Sequence, residues 1–230
     1  MQNEQYRNLD SLGQARAMAE EHQLKEVQKQ GYDWDERYKV KDLPWDTGLV
    51  APELSEYYAA LAPQEKPAAV LEVGCGTGTN AVWMAQQGAK VNATEIAPTA
   101  LEQAVARAAS LQVKVDFHLL DICQKDPVEA GSQDFVFDRG VYHVIPQESR
   151  PLFAAKLHKA LKPGGRWLCI AGSKDEAREN PEVGPPQLSA LELLSETEPF
   201  FEIISLGRTY FVLPDGKKYL AWKALFQRRK

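Results

Sequence analysis

The sequence predicts an α/β protein built on a parallel sheet, and three observations carry that expectation. Between Val70 and Ile170, short apolar runs alternate with helical patterns, the order that βαβ units produce. The first run, Val70-Leu71-Glu72-Val73, leads directly into Gly74-Cys75-Gly76-Thr77-Gly78 and then a helical stretch. Strand, glycine turn and helix N-terminus together make a nucleoside-binding crevice. Glu95 closes the next apolar run, 17 positions after Gly78, where a carboxylate accepts hydrogen bonds from a ribose diol.

In chain order, residues 1–66 read as an appended helical arm over the site, and residues 67–230 as the main domain. The arm opens with a charged, weakly amphipathic segment, about Leu9 to Gln30. Trp34-Asp35-Glu36-Arg37-Tyr38 and Pro44-Trp45-Asp46-Thr47-Gly48 follow. A helix from about Pro52 to Leu61 then sets Leu54, Tyr57, Tyr58 and Leu61 at helical spacing.

The main domain starts with a strand at Ala69–Val73. A helix from about Asn80 to Gln87 stops at Gly88, a natural residue to end a helix. Lys90–Ile96 is the second strand, and Pro98 opens a helix over Thr99–Ala109, where its missing N–H costs nothing. Strands are expected at Val113–Leu120, Asp134–Asp138 and Trp167–Ala171. A helix from about Glu148 to Leu161 ends at Lys162-Pro163-Gly164-Gly165. The proline-rich stretch Asn180–Pro186 reads as a loop over the site, and Ser189-Ala190-Leu191-Glu192 as a capping box. Phe200–Tyr210 and Lys218–Phe226, joined through Pro214-Asp215-Gly216, form a closing antiparallel pair.

Composition narrows the class. A net charge of −5 argues against a nucleic-acid face, because such faces carry a basic patch. No apolar run approaches a membrane span, and the first residues lack the order of a signal peptide. A cytoplasmic enzyme is the expectation. Cys75, Cys123 and Cys169 show neither disulfide nor metal spacing, so no metal is expected, and Cys123 and Cys169 read as buried, inert thiols.

The glycine spacing selects the ligand. Dinucleotide sites use G-x-G-x-x-G, but here the order is E-x-G-x-G-x-G, with Glu72 two residues before Gly74. An acid at that point suits an ammonium and sits badly against a pyrophosphate. Over about Ala69 to Arg228 the chain resembles class I S-adenosylmethionine-dependent methyltransferases. That resemblance implies a Rossmann-like, seven-stranded, mostly parallel sheet with helices on both faces and an antiparallel last strand. It also implies S-adenosyl-L-methionine as cofactor, S-adenosyl-L-homocysteine as product, and roles for individual residues. Glu72, Gly74, Gly76 and Gly78 would hold the amino-acid tail, and Glu95, followed by Ile96, the ribose. Asp121 would take the adenine amino group, with Ile122 packing the ring. Asp138 and Arg139 would line the methyl-transfer site.

A narrower resemblance covers the ends. Pro44-Trp45-Asp46-Thr47-Gly48 with Pro52-Glu53-Leu54, and Gly184-Pro185-Pro186 with Phe200-Phe201-Glu202-Ile203, are similar to the thiopurine and thiol/halide methyltransferase group. The tellurite-resistance methyltransferases share the layout. Two positions depart from the thiol/halide pattern: Glu72 stands for a proline, and Asn80 for an acid.

The expected acceptor is a small molecule, possibly a thiol or other soft nucleophile, for which alignment matters more than a strong base. Arg139 is the candidate to orient an anionic acceptor, and His143 to take a proton. Tyr142 and the arm residues Trp34, Arg37, Tyr38, Trp45 and Asp46 are candidate acceptor contacts, since aromatic faces attract a sulfonium and exclude water. Three alternatives stand beside this reading: a cofactor-binding protein without catalysis, a methyltransferase of a macromolecule, and a nicotinamide-dependent oxidoreductase. The last needs a glycine where Thr79 stands. The sequence leaves the oligomeric state open.

Overall fold

The computed structural model describes residues 33–180 and 183–230. The amphipathic segment expected at Leu9–Gln30 and the pair Pro181-Glu182 lie outside the described residues.

Seven strands form one sheet in the order β3-β2-β1-β4-β5-β7-β6. They are β1 (Ala69–Val73), β2 (Lys90–Glu95), β3 (Asp116–Leu119), β4 (Gln133–Arg139), β5 (Leu161–Gly172), β6 (Phe201–Val212) and β7 (Lys218–Arg228). The first five pair in parallel, and β7 runs antiparallel to both β5 and β6. The chain order reverses between β1 and β4, so loops leaving the carboxyl ends of these strands border a crevice, the usual ligand position in such sheets.

Helices cover both faces. The described residues contain α1 (Trp34–Lys39), α2 (Pro52–Ala59), α3 (Thr79–Gln86), α4 (Pro98–Ser110), α5 (Arg150–Ala160) and α6 (Ala190–Leu194). On one face Phe153 and Leu157 of α5 pack with Tyr142, Trp167, Phe201 and Phe226. On the other, Leu54 and Tyr58 of α2 and Met84 of α3 pack with Phe135, Phe137 and Phe211.

Several elements follow from local chemistry. Pro98 and Pro52 each stand in the first turn of their helices, where no N–H is needed. Ser189 Oγ accepts from Glu192 N–H at 3.1 Å, and Glu192 Oε2 accepts from Ser189 N–H at 2.7 Å, closing the capping box. β3 is four residues long and starts three residues later than the apolar pattern suggests. Leu161 pairs with Gln133 and pairing resumes at Arg166 opposite Phe135, so Lys162–Gly165 bow out of a strand instead of ending a helix. Helix α1 has no counterpart in the sequence reading. It spans six residues, too few for a periodic pattern, and is held by the Asp33 side chain accepting from Glu36 N–H at 3.0 Å.

Candidate functional site

The turn after β1 is shaped by close approach from three sides. Gly74, Gly76 and Gly78 all have positive φ. A Cβ on Gly74 would meet Val141 Cγ2 at 2.3 Å, and one on Gly78 would meet Ala104 Cβ of α4 at 2.8 Å. A Cβ on Gly76 would lie 2.9 Å from the Tyr38 hydroxyl. Gly74 and Gly78 therefore answer to packing within the protein, and Gly76 faces the arm.

Glu95 closes β2 with its carboxylate turned back to this turn. Oε2 accepts from Gly76 N–H at 2.9 Å, and Oε1 from Ile96 and Ala97 N–H at 2.8 and 3.0 Å. Burial raises its pKa against these three bonds. Glu72 is also buried. Its Oε1 accepts from Asn80 Nδ2 at 3.3 Å, while Oε2 has no partner. Burial and the neighbouring Glu95 push the Glu72 carboxyl up to about 8. Cys75 between them is kept protonated by its own burial and the same two acids.

Asp121 follows β3 and accepts from Cys123 N–H at 2.8 Å, and Ile122 is buried behind it. Both stand near the carboxyl edge, since Leu120 N–H donates to Glu95 O at 3.0 Å.

The arm lies across the glycine turn. Asp35 Oδ1 accepts from Thr99 N–H at 2.8 Å at the start of α4. Asp46 Oδ2 accepts from Thr77 Oγ1 at 2.8 Å, and Trp45 Nε1 donates to the Tyr38 hydroxyl at 3.4 Å. Burial and the Glu95 charge hold the Tyr38 phenol firmly protonated. Trp34 meets the Trp45 ring edge-on at 5.6 Å, and the Arg37 guanidinium lies 4.2 Å over it while pairing with Asp42. Tyr38, Trp45 and Asp46, expected at the acceptor, thus stand at the Gly76–Glu95 end. Trp34 and Arg37 support them.

The segment after β4 divides differently from the expectation. Asp138 is fully buried, its Oδ1 accepting from Val141 and Tyr142 N–H at 3.3 and 3.1 Å and its Oδ2 from Trp167 Nε1 at 2.8 Å. It pins the turn from beneath, and burial pushes its carboxyl up to about 6. Tyr142 is buried between Phe153 and Trp167 and presents no edge to the crevice. His143 Nδ1 accepts from Gly172 N–H at 2.8 Å, so the ring proton sits on Nε2. Burial, then the charges of Arg178, Arg150 and Arg139, push it down to about 3. His143 is a neutral packing group with its free lone pair already used, which argues against a proton-accepting role.

Arg139 departs from the packed layer that holds Asp138 and Tyr142. Consecutive strand residues face opposite sides, so Arg139 leaves β4 on the face opposite Asp138. Its guanidinium lies 4.8 Å over the Phe211 ring, with Nε 3.6 Å from Oε2 of the buried Glu53. That separation is too long for a hydrogen bond, and neither atom has another partner. Glu53 Oε1 accepts from Thr209 Oγ1 at 2.6 Å.

Four participants carried no role in the sequence reading. Asn80 bridges arm and turn, its Oδ1 accepting from Ala51 N–H at 2.9 Å while its Nδ2 serves Glu72. Its standing as a departure from the thiol/halide pattern was the available signal. Glu53 and Thr77 lie within quoted motifs without a role of their own, because their partners Thr209 and Asp46 are more than 30 residues away in sequence; Arg178 carries no signal, since its partners lie in a loop.

Among the described residues, no group of three or more His, Cys, Asp or Glu is placed to hold a metal ion, and no helix is long and apolar enough to cross a membrane.

Comparisons with known proteins agree with this architecture. Residues 29–222 match the family described as Thiopurine S-methyltransferase (TPMT). The chain is similar to a probable thiol methyltransferase 2 of Arabidopsis thaliana, 29% identical over 176 residues covering 75% of each chain. It is also similar to a 2-heptyl-1-hydroxyquinolin-4(1H)-one methyltransferase of Mycobacteroides abscessus, 28% identical over 73% of each chain. Among solved structures, the 1,6-didemethyltoxoflavin-N1-methyltransferase of Burkholderia thailandensis superposes with a TM-score of 0.69, at 18% identity and over 86% of each chain.

Proposed function

The chain belongs to the thiopurine S-methyltransferase family and is an S-adenosylmethionine-dependent methyltransferase of a small molecule, and from that premise we propose that its acceptor is a soft nucleophile, such as a thiol, that ionises by its own acidity. The oxidoreductase alternative is set aside by the family match.

The residues fit the cofactor. A buried carboxylate with one partnerless oxygen, Glu72, lies beside the glycine turn, and that oxygen is the hydrogen-bond acceptor an ammonium requires. Glu95 faces the same turn, and Asp121 stands at the same sheet edge. When bound, the cofactor supplies an electrophilic methyl group on a sulfonium. In this proposal Glu72 holds the ammonium, Glu95 the ribose and Asp121 the adenine amino group. Tyr38 and Trp45 exclude water from above. Arg139 orients the acceptor and stabilises its anion.

One observation carries the choice of acceptor. Asp138 spends both oxygens on three hydrogen bonds, and His143 uses its lone pair on Gly172 N–H. Neither is available to take a proton beside Arg139. An acceptor that loses its proton to solvent near neutral pH needs only alignment, which is worth roughly 7–11 kcal/mol. The Arabidopsis and Mycobacteroides relatives, a probable thiol methyltransferase and a hydroxyquinolone methyltransferase, accord with acidic acceptors. A cytoplasmic place accords with three free, buried cysteines.

The test is a pH–rate series with matched thiophenols of different acidity, alongside aniline. The plateau in kcat/KM should move with the pKa of each thiol, and aniline should stay unmethylated. A plateau fixed at one pH for every thiol would reveal a base on the protein and overturn the reading.

A further inference from the structure

Strand β6 forms one edge of the sheet, and among the described residues no strand pairs with its outer side. Phe201–Val212 contains neither lysine nor proline, the residues that blunt an open edge. The bulge between Ile203 and Ser205 disturbs only the first part, so Ser205–Val212 runs on in unbroken register with β7. This stretch lies in water. Tyr210 and Val212 are 48% and 41% exposed, and the Arg208 side chain is 61% exposed. An open edge of this length with apolar side chains is a template for another strand.

Gly207 gives a second, independent observation. Alone among the described glycines it has neither a positive φ nor any atom within 4 Å of where a Cβ would stand. Neither the backbone nor the packing of this chain calls for glycine there. Within a strand that choice costs roughly 0.5–1 kcal/mol relative to alanine, and it marks a place where another backbone comes close.

The order of side chains identifies the visitor. Residues directly opposite each other in a sheet share a face, so two copies of β6 related by a two-fold axis must centre on one residue. Centred on Thr209, the antiparallel register sets Leu206 opposite Val212, Arg208 opposite Tyr210 and Gly207 opposite Phe211, with Thr209 facing its own copy. Each pair is matched: apolar on apolar, a guanidinium on a phenol ring, a bulky ring on a glycine, and two threonines. A centre at Arg208 would oppose two guanidiniums, and one at Ser205 would cross the bulge.

We propose that β6 pairs antiparallel with β6 of a second copy of this chain about a two-fold axis at Thr209, joining two seven-stranded sheets into one. The axis closes the assembly at two molecules. At the other end of the sheet, β3 spans only four residues, too short an edge to continue the chain of sheets. A single pair of strands is a small interface, which sets the dimer among reversible associations with Kd of roughly 1–100 µM.

The full chain is tested by sedimentation velocity over a concentration series and by oxidative cross-linking. Directly opposed residues place their Cα atoms about 4.5–5.5 Å apart, within the reach of a disulfide, and the native cysteines are buried. Thr209→Cys should therefore link to itself on mild oxidation. Arg208→Cys and Tyr210→Cys should each fail alone and link to one another when the two proteins are mixed. Tyr210→Lys, which sets an ammonium against Arg208 of the second copy, should weaken the dimer at least about 10-fold, and Tyr210→Phe should keep it. A protein that stays monomeric up to about 200 µM overturns the proposal, as does a dimer that Tyr210→Lys leaves intact. Failure of the mixed pair to link also overturns it, and that outcome is read at two exposed positions even where T209C fails to fold.

Discussion

Glu72 is an acid whose charge depends on what lies beside it. Buried, with Glu95 nearby, it holds its proton up to about pH 8, whereas in an unfolded chain it would release it near 4.5. The folded state therefore binds more protons than the unfolded state between those values. The contribution to stability is present in full below about pH 4.5 and is lost as pH rises through 8. A cationic ligand at Oε2 reverses the preference and drives the proton off. Cofactor binding should release a proton at pH 7, seen as an apparent binding enthalpy that changes with the ionisation enthalpy of the buffer. Glu72→Gln should leave Tm of the ligand-free protein nearly unchanged at about pH 4.5 and raise it increasingly between there and pH 8, while lowering cofactor affinity roughly 10-fold or more. A Gln variant less stable at pH 8 than at pH 6, relative to the unmodified chain, would contradict this assignment.

The arm and the glycine turn behave as one element through three polar ties. Asp35 meets Thr99, Asp46 meets Thr77, and Asn80 meets Ala51. Asn80 is the tie with two ends, because it also donates to Glu72. Asn80→Ala strips the partner from Ala51 N–H and from Glu72 Oε1, a loss of about 1–3 kcal/mol. The same change should loosen the chain between Leu43 and Val50. Limited proteolysis should then cut within this stretch faster in the variant, and added S-adenosylhomocysteine should slow the cut. Equal cleavage rates in both proteins would mean that the arm is held by its aromatic contacts alone.

For the molecule as a whole, stability rests on the aromatic layer beneath α5. Phe226 is fully buried and stacks on Trp167 at 4.8 Å, and both touch Phe201. Phe226→Ala should cost about 3–5 kcal/mol in urea unfolding while the m-value stays constant, since the cavity leaves the unfolded chain unchanged. At this scale the sequence is informative: apolar runs of strand length and the glycine turn are local signals, and the seven strands sit close to where those signals fall. The site was harder to read for a physical reason. Asp138 and Arg139 are neighbours in sequence and share a motif, yet the pleat of β4 sends one into the Trp167 layer and the other toward Phe211. His143 looks like a base until Gly172, 29 residues on, fills its lone pair. Tyr38 and Asp46 are legible as candidates, but which end of the crevice they stand at depends on how the arm crosses Gly76 and Thr77. Arg178 finds its partners only where the loop after β5 folds back onto Tyr219 of β7.

β7 lies between β5 and β6, and that placement has a consequence for biosynthesis. A nascent chain extruded as far as Val212 carries β6 with no neighbour to receive it, since every hydrogen bond that joins β6 to the sheet runs through β7. Phe211 likewise waits for Tyr219. The Phe211–Tyr219 pair is therefore assembled only once β7 has left the ribosome, and a translation product arrested before Lys218 would hold a nearly finished crevice with one wall missing.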